Sequence, residues 1–427
     1  MIEGVLLFIL LFFQVTFADD LSYIAFDYYH PTDEDLLFLS NFQYVVTGNF
    51  LEEEKVDFLK RCGVKLLYYE WLPAEYVCMG KANDSWKKKI LENVNRWVID
   101  DSPTDPDPMG RKYGCRDYFF SFTNDFIDER IKNIMRNLKE NKYDGVFFDW
   151  ATGSKIFEQR EYSFLRKRFK EKFPGLDYDK QIEKFLRMLK EKGIIIALNR
   201  GFRSKKAAFD KWADMDVAES VFTTDSEDFR RKVFLKEKRI STVYETTFTD
   251  PELAISTAKN FLEKARSTNP SINFVFLNYA FPYYENSSCE RDSVYIPVTD
   301  EQAILYAISL SLLVDSFSFT AGRNVSLRFV KSNSYFLDLG KPLGRYKFRK
   351  VGKKKVWIRE FSNGIVVVGY HGTTVDVNAH GHKKAYDVLE KKEIPVKDGK
   401  FVIPLYSRSY FDNRFQPVGK IVLWKVE

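Results

Sequence analysis

The chain has 427 residues, of which 45% are hydrophobic and 16% aromatic. This length is too great for one small domain and predicts one barrel-sized unit plus an addition. Charged residues make up 30%, both signs are interspersed and the formal net charge is only +6, so no nucleic-acid partner is predicted. The one dense basic run, residues 347–355, is short and predicts an exposed hairpin.

The N-terminus has the pattern of an export signal. Residues 5–17 are almost wholly apolar, and small residues at Thr16 and Ala18 precede Asp19, which predicts a signal peptide over 1–18 and a secreted or periplasmic protein. The first residues include Glu3 and no Lys or Arg, so an uncleaved anchor and a mis-assigned start stay open. We expect membrane association only if the signal is uncleaved. The apolar run 304–314 is too short to span and predicts a buried helix.

Apolar runs alternate with amphipathic helical stretches through residues 19–322. The expected strands are 22–29, 44–48, 64–71, 145–149, 193–199, 215–220, 240–245 and 273–279. Eight such strands, each followed by a helix, predict an α/β fold, a (β/α)8 TIM barrel. A doubly wound nucleotide-binding sheet would carry a Gly-rich turn after its first strand, and the residues after Asp27 do not form one.

The pattern changes after residue 322. Short apolar runs at 335–339, 356–361, 365–368, 400–405 and 420–425 replace the strand–helix alternation, and Asn363-Gly364 between two of them is a strong hairpin signal. Residues 323–427 are therefore predicted to form a small antiparallel β-sandwich domain.

Cysteine and histidine usage does not indicate a metal site. Cys62, Cys78, Cys115 and Cys289 match no zinc spacing, so three disulfide pairings and four unpaired buried thiols all remain open. Among four histidines, His30 alone lies near a strand end, and His380-Gly381-His382 is more typical of a surface loop. We predict no metal and no cofactor, which disfavours a deacetylase-like or phosphodiesterase barrel.

The residues that end the expected strands should meet at one mouth, because the C-terminal strand ends of such a barrel form its active site. They are rich in carboxylates, aromatics and amides, a combination suited to glycoside cleavage. The candidate catalytic carboxylates are Asp149, Glu219 and Glu245. The remaining candidates for binding a carbohydrate substrate are Asp27, Tyr28, Tyr69, Glu70, Trp71, Trp150, Asn199, Arg200, Tyr244, Asn278 and Tyr279.

Two groups of short motifs also carry a family resemblance. Arg116-Asp117-Tyr118, Phe122-Thr123-Asn124 and the run 143–149 resemble hypothetical glycoside-hydrolase barrels similar to the endo-α-1,4-polygalactosaminidase group. The stretches 340–344 and 359–368 resemble the β-domain that follows such barrels. The resemblance implies that Asp149, on strand four, is a nucleophile and that Glu219, on strand six, is the general acid/base. Trp150 departs from the polar residue usual in that group, and Glu245 matches the strand-seven acid of another barrel clan.

These features predict an exported glycoside hydrolase with a two-carboxylate, retaining mechanism. The alternative is a barrel that binds glycans without cleaving them, held at the membrane by an uncleaved N-terminal helix. In an enzyme, one carboxyl of the pair should be partly desolvated with a raised pKa. In a binder, Asp149 would form a salt bridge with an arginine such as Arg200.

Overall fold

The computed structural model describes most of the chain. The described residues are 21–27, 31–78, 84–101, 115–225, 233–235, 238–240, 242–244, 246–280, 283–285, 294–295, 301–321, 331–407 and 416–424. The predicted signal peptide, the predicted boundary at 322–323, Tyr28, Glu245 and Cys289 lie outside this set.

Eight parallel strands form the predicted barrel, which is confirmed. Each strand pairs in parallel with the next along the chain. The two ends of the sheet meet where the rings of Tyr23 and Phe317 stack, with centroids 3.9 Å apart. The strands are β1 Ile24–Asp27, β2 Tyr44–Thr47, β3 Lys65–Trp71, β4 Gly145–Asp149, β5 Ile195–Asn199, β6 Met215–Glu219, β7 Asn273–Tyr279 and β8 Phe317–Ala321.

The identity of the last two barrel strands differs from the prediction. The described residues of the stretch expected as the seventh strand do not belong to the barrel sheet: Ile240 pairs with Val233, and Thr242–Tyr244 pairs antiparallel with Tyr283–Glu285. The strand expected as the eighth is therefore β7, and Phe317–Ala321 closes the sheet. Glu245 itself lies outside the described residues, so its role as a catalytic acid stays a prediction.

Helices surround the barrel and join its strands. They are α1 Asp33–Leu39, α2 Glu53–Arg61, α3 Ser85–Glu92, α4 Val94–Trp97, α5 Asn124–Glu140, α6 Ser163–Lys172, α7 Tyr178–Glu191, α8 Pro251–Thr268 and α9 Glu301–Leu313. Helix α9 is apolar nearly all round and is buried on almost every side. The predicted buried helix is confirmed, since such a helix needs apolar partners on all its faces. No helix in the described part of the chain has the length and apolarity needed to cross a membrane.

Short elements decorate the loops. One three-stranded antiparallel sheet follows β3 and is crosslinked by a Cys78–Cys115 disulfide. Cys62 is free and half-buried. The three strands of this sheet are Ala74–Cys78, Val98–Asp101 and Cys115–Phe120. The other short strands of the loops are Thr223–Asp225, Val233–Leu235, Lys238–Ile240, Thr242–Tyr244, Thr246–Phe248, Tyr283–Glu285 and Val294–Tyr295. The 3₁₀ turns are Gly153–Glu158, Arg160–Tyr162, Gly201–Arg203, Lys205–Trp212 and Asn333–Phe336.

The C-terminal strands form one eight-stranded antiparallel sheet, as the hairpin signals predict. The strands are β9 Lys347–Val351, β10 Lys354–Phe361, β11 Gly364–Tyr370, β12 Thr373–Asn378, β13 Lys384–Asp387, β14 Lys392–Lys397, β15 Lys400–Leu405 and β16 Pro417–Trp424, in the spatial order β9-β10-β11-β16-β13-β14-β15-β12. The sheet packs on α9 through β16. A Cβ on Gly419 would lie 2.6 Å from the Tyr306 Cα, so this approach requires glycine.

Candidate active site

Three neighbouring barrel strands end on polar residues that contact one another. Asp149 ends β4, Asn199 ends β5 and Glu219 ends β6. The Asn199 Nδ2 donates to Asp149 Oδ1 at 2.6 Å and to Glu219 Oε1 at 2.9 Å. By the sum of these two distances, the two carboxylate oxygens lie no more than about 5.5 Å apart, so the two carboxyls are close enough to act on one bond.

The start of β4 is shaped by a close approach of β5. Gly145 pairs with Ile195, and a Cβ on Gly145 would lie only 2.1 Å from the Ile195 carbonyl oxygen. Only glycine allows the two backbones to come this close. The buried run Val146, Phe147 and Phe148 then carries Asp149 to the strand end, so the register of β4 against β5 brings Asp149 level with Asn199.

Each of the three strand-end residues is followed by a residue in the left-handed region. Trp150 has φ 56°, Arg200 has φ 69° and Ser220 has φ 58°. This conformation costs a non-glycine residue about 1–3 kcal/mol and persists where the surrounding structure imposes it. The Arg200 N–H donates to the Val217 carbonyl at 2.8 Å, which extends the strand ladder into the turn. The same turn at three successive strands directs Asp149, Asn199 and Glu219 toward one point.

Both oxygens of Asp149 are held by donors. Besides the Asn199 bond to Oδ1, the Trp150 backbone N–H donates to Oδ1 at 2.7 Å and the Tyr69 hydroxyl donates to Oδ2 at 2.7 Å. Burial and the charge of Asp149 raise the pKa of Tyr69, so its hydroxyl stays protonated and keeps donating. Asp149 is therefore fixed in orientation at the mouth of the barrel.

Glu219 lies in a different environment. Its side chain is 20% exposed, and burial, followed by the charge of Asp149, raises its pKa. Arg200 and Asn199 act in the opposite direction, with the Arg200 Nη2 3.3 Å from Glu219 Oε2. The raised pKa makes Glu219 the carboxyl of the pair that is suited to carry a proton.

Arg200 links Glu219 to an aromatic group. Its guanidinium carbon lies 5.7 Å from the centroid of the Trp150 ring, and the Trp150 and Tyr162 rings form a T-shaped pair with centroids 5.9 Å apart. Trp150 is half-buried, so only part of its ring remains for a substrate. The ring therefore helps to orient Arg200, and its predicted contact with a substrate stays a prediction.

Two of the predicted binding residues lie away from the carboxylate pair. Glu70 points to the helix side of β3, where Arg130 of α5 contacts it at 3.0 Å. Arg130 also donates to the Leu72 carbonyl at 2.7 Å, so this ion pair holds the end of β3. Asp27 is buried, and its charge contributes to the raised pKa of Tyr143.

Asn278 has its hydrogen-bonding groups engaged within the fold. Its Oδ1 accepts from the Phe222 and Thr223 backbone N–H groups, at 3.1 and 3.3 Å. Its Nδ2 donates to the Phe276 carbonyl at 2.9 Å and to Ser318 Oγ at 3.2 Å. Asn278 thus holds the loop after β6, and its predicted contact with a substrate stays a prediction.

Trp71, Tyr279 and Tyr244 complete the predicted set. Trp71 is half-buried, pairs in register with Asp149 and packs against Phe119 at 5.7 Å. Tyr279 is half-buried and lies close enough to Tyr69 to influence its pKa. These two residues border the mouth. The side chain of Tyr244, like Tyr28 and Glu245, lies outside the described set.

A buried pair of acids, not predicted from the sequence, supports the turn that carries Arg200. Asp210 and Asp216 are fully buried and each acts on the pKa of the other, and a hydrogen bond between the two carboxyls requires a proton on one of them. Burial and the charge of Asp216 raise the pKa of Asp210, so Asp210 holds the proton. Asp216 accepts from the backbone N–H groups of Gly201 at 2.9 Å and Phe202 at 2.7 Å.

Asp216, an acid within the strand β6, was the feature of the sequence that could have indicated this buried pair. Asp216 is three residues before Glu219 and so faces the helix side of the strand, where an acid needs a partner. The partner, Asp210, comes from the 3₁₀ turn Lys205–Trp212, and no spacing rule links the two. Glu219 and the turn that carries Arg200 are thus both anchored to β6.

We expect the shared proton to matter for both stability and activity. Asp210→Leu leaves Asp216 without its donor and should lower the free energy of unfolding by about 1–3 kcal/mol. It should also lower kcat/KM by loosening Arg200. Asp210→Asn keeps a donor and should stay close to wild type in urea unfolding and in kcat/KM. Equal losses in the two variants would show that the hydrogen bond is unimportant.

Within the described residues, no group of three or more His, Cys, Asp or Glu side chains could hold a metal ion. The reactive groups that the described site brings together are the two carboxyls, the Tyr69 hydroxyl and the Arg200 guanidinium. Such a set can attack, donate a proton and accept one. It matches the two-carboxylate chemistry of glycoside hydrolysis.

Among known proteins, this chain is similar only to solved structures. No family model matches the chain, and no curated protein matches it. The glycoside hydrolase domain of PelA from Pseudomonas aeruginosa is 16% identical, with 70% of this chain and 94% of that domain covered and a TM-score of 0.43.

Two amylases cover nearly the whole chain. A noncanonic maltogenic alpha-amylase, AmyB from Thermotoga neapolitana, is 9% identical, with 95% and 98% of the two chains covered and a TM-score of 0.44. An Anoxybacillus alpha-amylase is 9% identical, with 97% and 94% covered and a TM-score of 0.47. None of these three is named a polygalactosaminidase, so that resemblance stays a prediction. Scores and identities this low do not assign an activity, which has to come from the site itself.

Proposed function

We propose that this chain is a retaining glycoside hydrolase that cleaves a polysaccharide or exopolymer. The observation that carries the proposal is the Asn199 amide nitrogen, which contacts both Asp149 and Glu219. Retaining enzymes hold their two carboxyls about 5–5.5 Å apart, whereas inverting enzymes leave about 6.5–9.5 Å for a water molecule. A shared donor favours the shorter spacing.

The first step forms a covalent intermediate. An Asp149 oxygen attacks the anomeric carbon while the bond from that carbon to the leaving oxygen breaks. Glu219 gives its proton to the leaving oxygen, and the sugar is left as an ester of Asp149. The raised pKa of Glu219 supports this role, because the group must be protonated when the reaction begins.

The second step reverses the proton movement. Glu219, now a carboxylate, removes a proton from water, whose oxygen attacks the anomeric carbon and releases Asp149. The negative charge moves from Asp149 to Glu219 and back during the cycle. Asn199 Nδ2 contacts both carboxyls, so one donor stabilises whichever of them is charged.

The non-catalytic glycan-binding barrel is the alternative. That protein would be expected to neutralise Asp149 with an arginine such as Arg200. Instead, Arg200 forms its ion pair with Glu219 at 3.3 Å, and Asp149 is held by neutral donors. A carboxyl held by neutral donors, next to a second carboxyl whose pKa is raised, favours catalysis over binding.

We also propose that the protein is exported, on the basis of the apolar run 5–17 and the small residues at Thr16 and Ala18. N-terminal sequencing of the protein recovered from its source should then begin at Asp19. A mature chain that still starts at Met1 would favour the membrane-anchored alternative.

The test of the hydrolase is a screen of glycans for released reducing ends, followed by NMR of the first product from any substrate found. We expect the product to have the same anomeric configuration as the substrate, because two inversions restore it. Inversion would contradict the covalent intermediate. The absence of hydrolysis together with tight glycan binding would favour the non-catalytic alternative.

A further inference from the structure

We propose that a cleft on the side of the barrel, away from the mouth, binds acidic sugar units of an anionic polysaccharide. The cleft lies between α8, the end of α9 and the segment that leads into β9, and has a volume of about 510 Å³. This is within the roughly 300–1,000 Å³ typical of small-molecule sites. The proposal rests on the hydrolase above and extends it by naming a class of substrate.

The wall of the cleft is positively charged. Lys259, Arg266 and Arg345 contribute three cations, against the carboxylates of Glu263 and Asp315. Asp315 is already paired with Arg359, whose guanidinium lies 2.6 Å from it. The wall therefore keeps a net positive charge, and a ligand that carries carboxylates or sulfates would be attracted to it.

An aromatic ring forms part of the same wall. Tyr346 is half-buried, and the Lys259 Nζ lies 4.6 Å from the centroid of its ring. A sugar ring can pack its apolar face on an aromatic ring while its charged group meets an adjacent cation. Arg345 is exposed and next to Tyr346 in the chain, so it supplies a second donor for a carboxylate.

The charge continues from the cleft along the β9–β10 hairpin, as the sequence predicted for the basic run. Residues 345–355 contain seven Lys and Arg and no Asp or Glu. The hairpin lies along α8, since Lys355 contacts Glu252 near the start of that helix and Tyr346 meets Lys259 farther along it. Phe348, 55% exposed, lies between these two points with Lys355 at 5.6 Å from its ring.

The shape of this surface favours a linear glycan. Alternate residues of an extended strand are about 7 Å apart, so Tyr346, Phe348 and Lys350 form a straight row rather than a groove for a double helix. The hairpin turn at 351–354 has no large apolar side chain for insertion into a lipid surface. A cleft that opens onto this row, on a hairpin rich in Lys and Arg, fits a single anionic chain.

The experiment measures binding separately from hydrolysis. Full-length Asp149→Asn protein is titrated with polygalacturonate and with neutral galactan by affinity electrophoresis at low and high salt. We expect polygalacturonate to bind more tightly than galactan and the difference to shrink as salt screens the charges. The double variant Lys259→Ala/Arg345→Ala, made in the same background, should bind polygalacturonate about tenfold more weakly or worse.

The matched control is Lys397→Ala/Lys400→Ala, which removes two exposed lysines from a different hairpin of the same domain. It should bind as tightly as its parent, and a Tyr346→Ala variant should lose affinity without any change of charge. Equal binding of galactan, equal losses in both double variants, or tighter binding to a DNA oligonucleotide or to phosphatidylserine vesicles would overturn the proposal.

The two proposals can fail separately. The Lys259→Ala/Arg345→Ala change in the wild-type background should leave hydrolysis of short soluble substrates unchanged, because the cleft is remote from the mouth. Weak binding with intact hydrolysis in that variant supports both proposals. Unaltered hydrolysis in Asp149→Asn would remove the hydrolase proposal and leave the binding result standing.

Discussion

Replacing Asp149 with Asn is expected to lower kcat/KM by roughly 10⁴-fold or more, the scale seen when a group that forms the covalent bond is removed. The amide keeps nearly the same shape but cannot attack the anomeric carbon. It also places a donor where Asn199, Tyr69 and the Trp150 N–H all donate. Initial rates on the best substrate from the glycan screen measure the effect.

Asp128→Asn is the matched control, because Asp128 lies exposed on α5 and its substitution changes the charge by the same amount. It should retain full activity. Asp149→Ala adds a sharper test, since a small anion such as azide can enter the vacated space and attack the sugar directly. The azide product should have the opposite configuration to the substrate. Persistent activity in Asp149→Asn would rule out the nucleophile's role.

Much of the barrel could be predicted because its strands are short buried runs. In β4, the glycine, three apolar residues and a terminal acid show both the strand and its end. Parallel strands place such ends at one edge, so the proximity of Asp149 and Glu219 follows from the topology. The sequence pattern could not predict that the Asn199 amide lies between the two carboxyls, because this position depends on the register of β5 and on a side-chain rotamer.

The last barrel strands were misassigned for a physical reason. Residues 240–245, Ile-Ser-Thr-Val-Tyr-Glu, are rich in β-branched and aromatic side chains, which are equally typical of the short strands in a loop insertion. The true closing strand, Phe317–Ala321, has the pattern Phe-Ser-Phe-Thr-Ala, in which the alternate polar residues obscure a buried strand. Ser318 is partnered by Asn278 across the sheet, a long-range contact that short windows of sequence do not reveal.

The candidate residues at strand ends fall into two groups, according to the face of the strand that each one occupies. Tyr69 and Trp71 share one face of β3, and Tyr69 contacts Asp149, whereas Glu70 points to the helix layer and pairs with Arg130. The alternation of side chains along a strand explains this division. Candidate site residues near the end of a strand should therefore be sought at every second position rather than over the whole stretch.

Replacing Glu219 with Gln is expected to lower kcat/KM by about 10²–10⁴-fold for substrates with poor leaving groups. The loss should be much smaller for an activated leaving group that departs without a proton, although release of the intermediate would then become slow. This dependence separates a general acid from a residue that only positions the substrate. Rates for aryl glycosides of graded leaving-group acidity provide the measurement.

The pH profile gives the second readout. Glu219 must be protonated to act, so kcat/KM should fall as the pH rises through its pKa, which burial and the charge of Asp149 raise above the usual glutamate value. Arg200 stabilises the charged form and so lowers that pKa. Arg200→Met should therefore raise the pKa of Glu219 and shift the alkaline limb to higher pH.

The Glu219→Gln variant should lose this alkaline limb altogether, because glutamine cannot titrate. Glu171→Gln, at an exposed position of α6, serves as the matched control and should keep both the rate and the profile of the wild type. If the limb persists in Glu219→Gln, the titrating group is another residue. A shift to lower pH in Arg200→Met would mean that Arg200 does not stabilise the Glu219 carboxylate, and the acid/base would have to be sought elsewhere at the mouth.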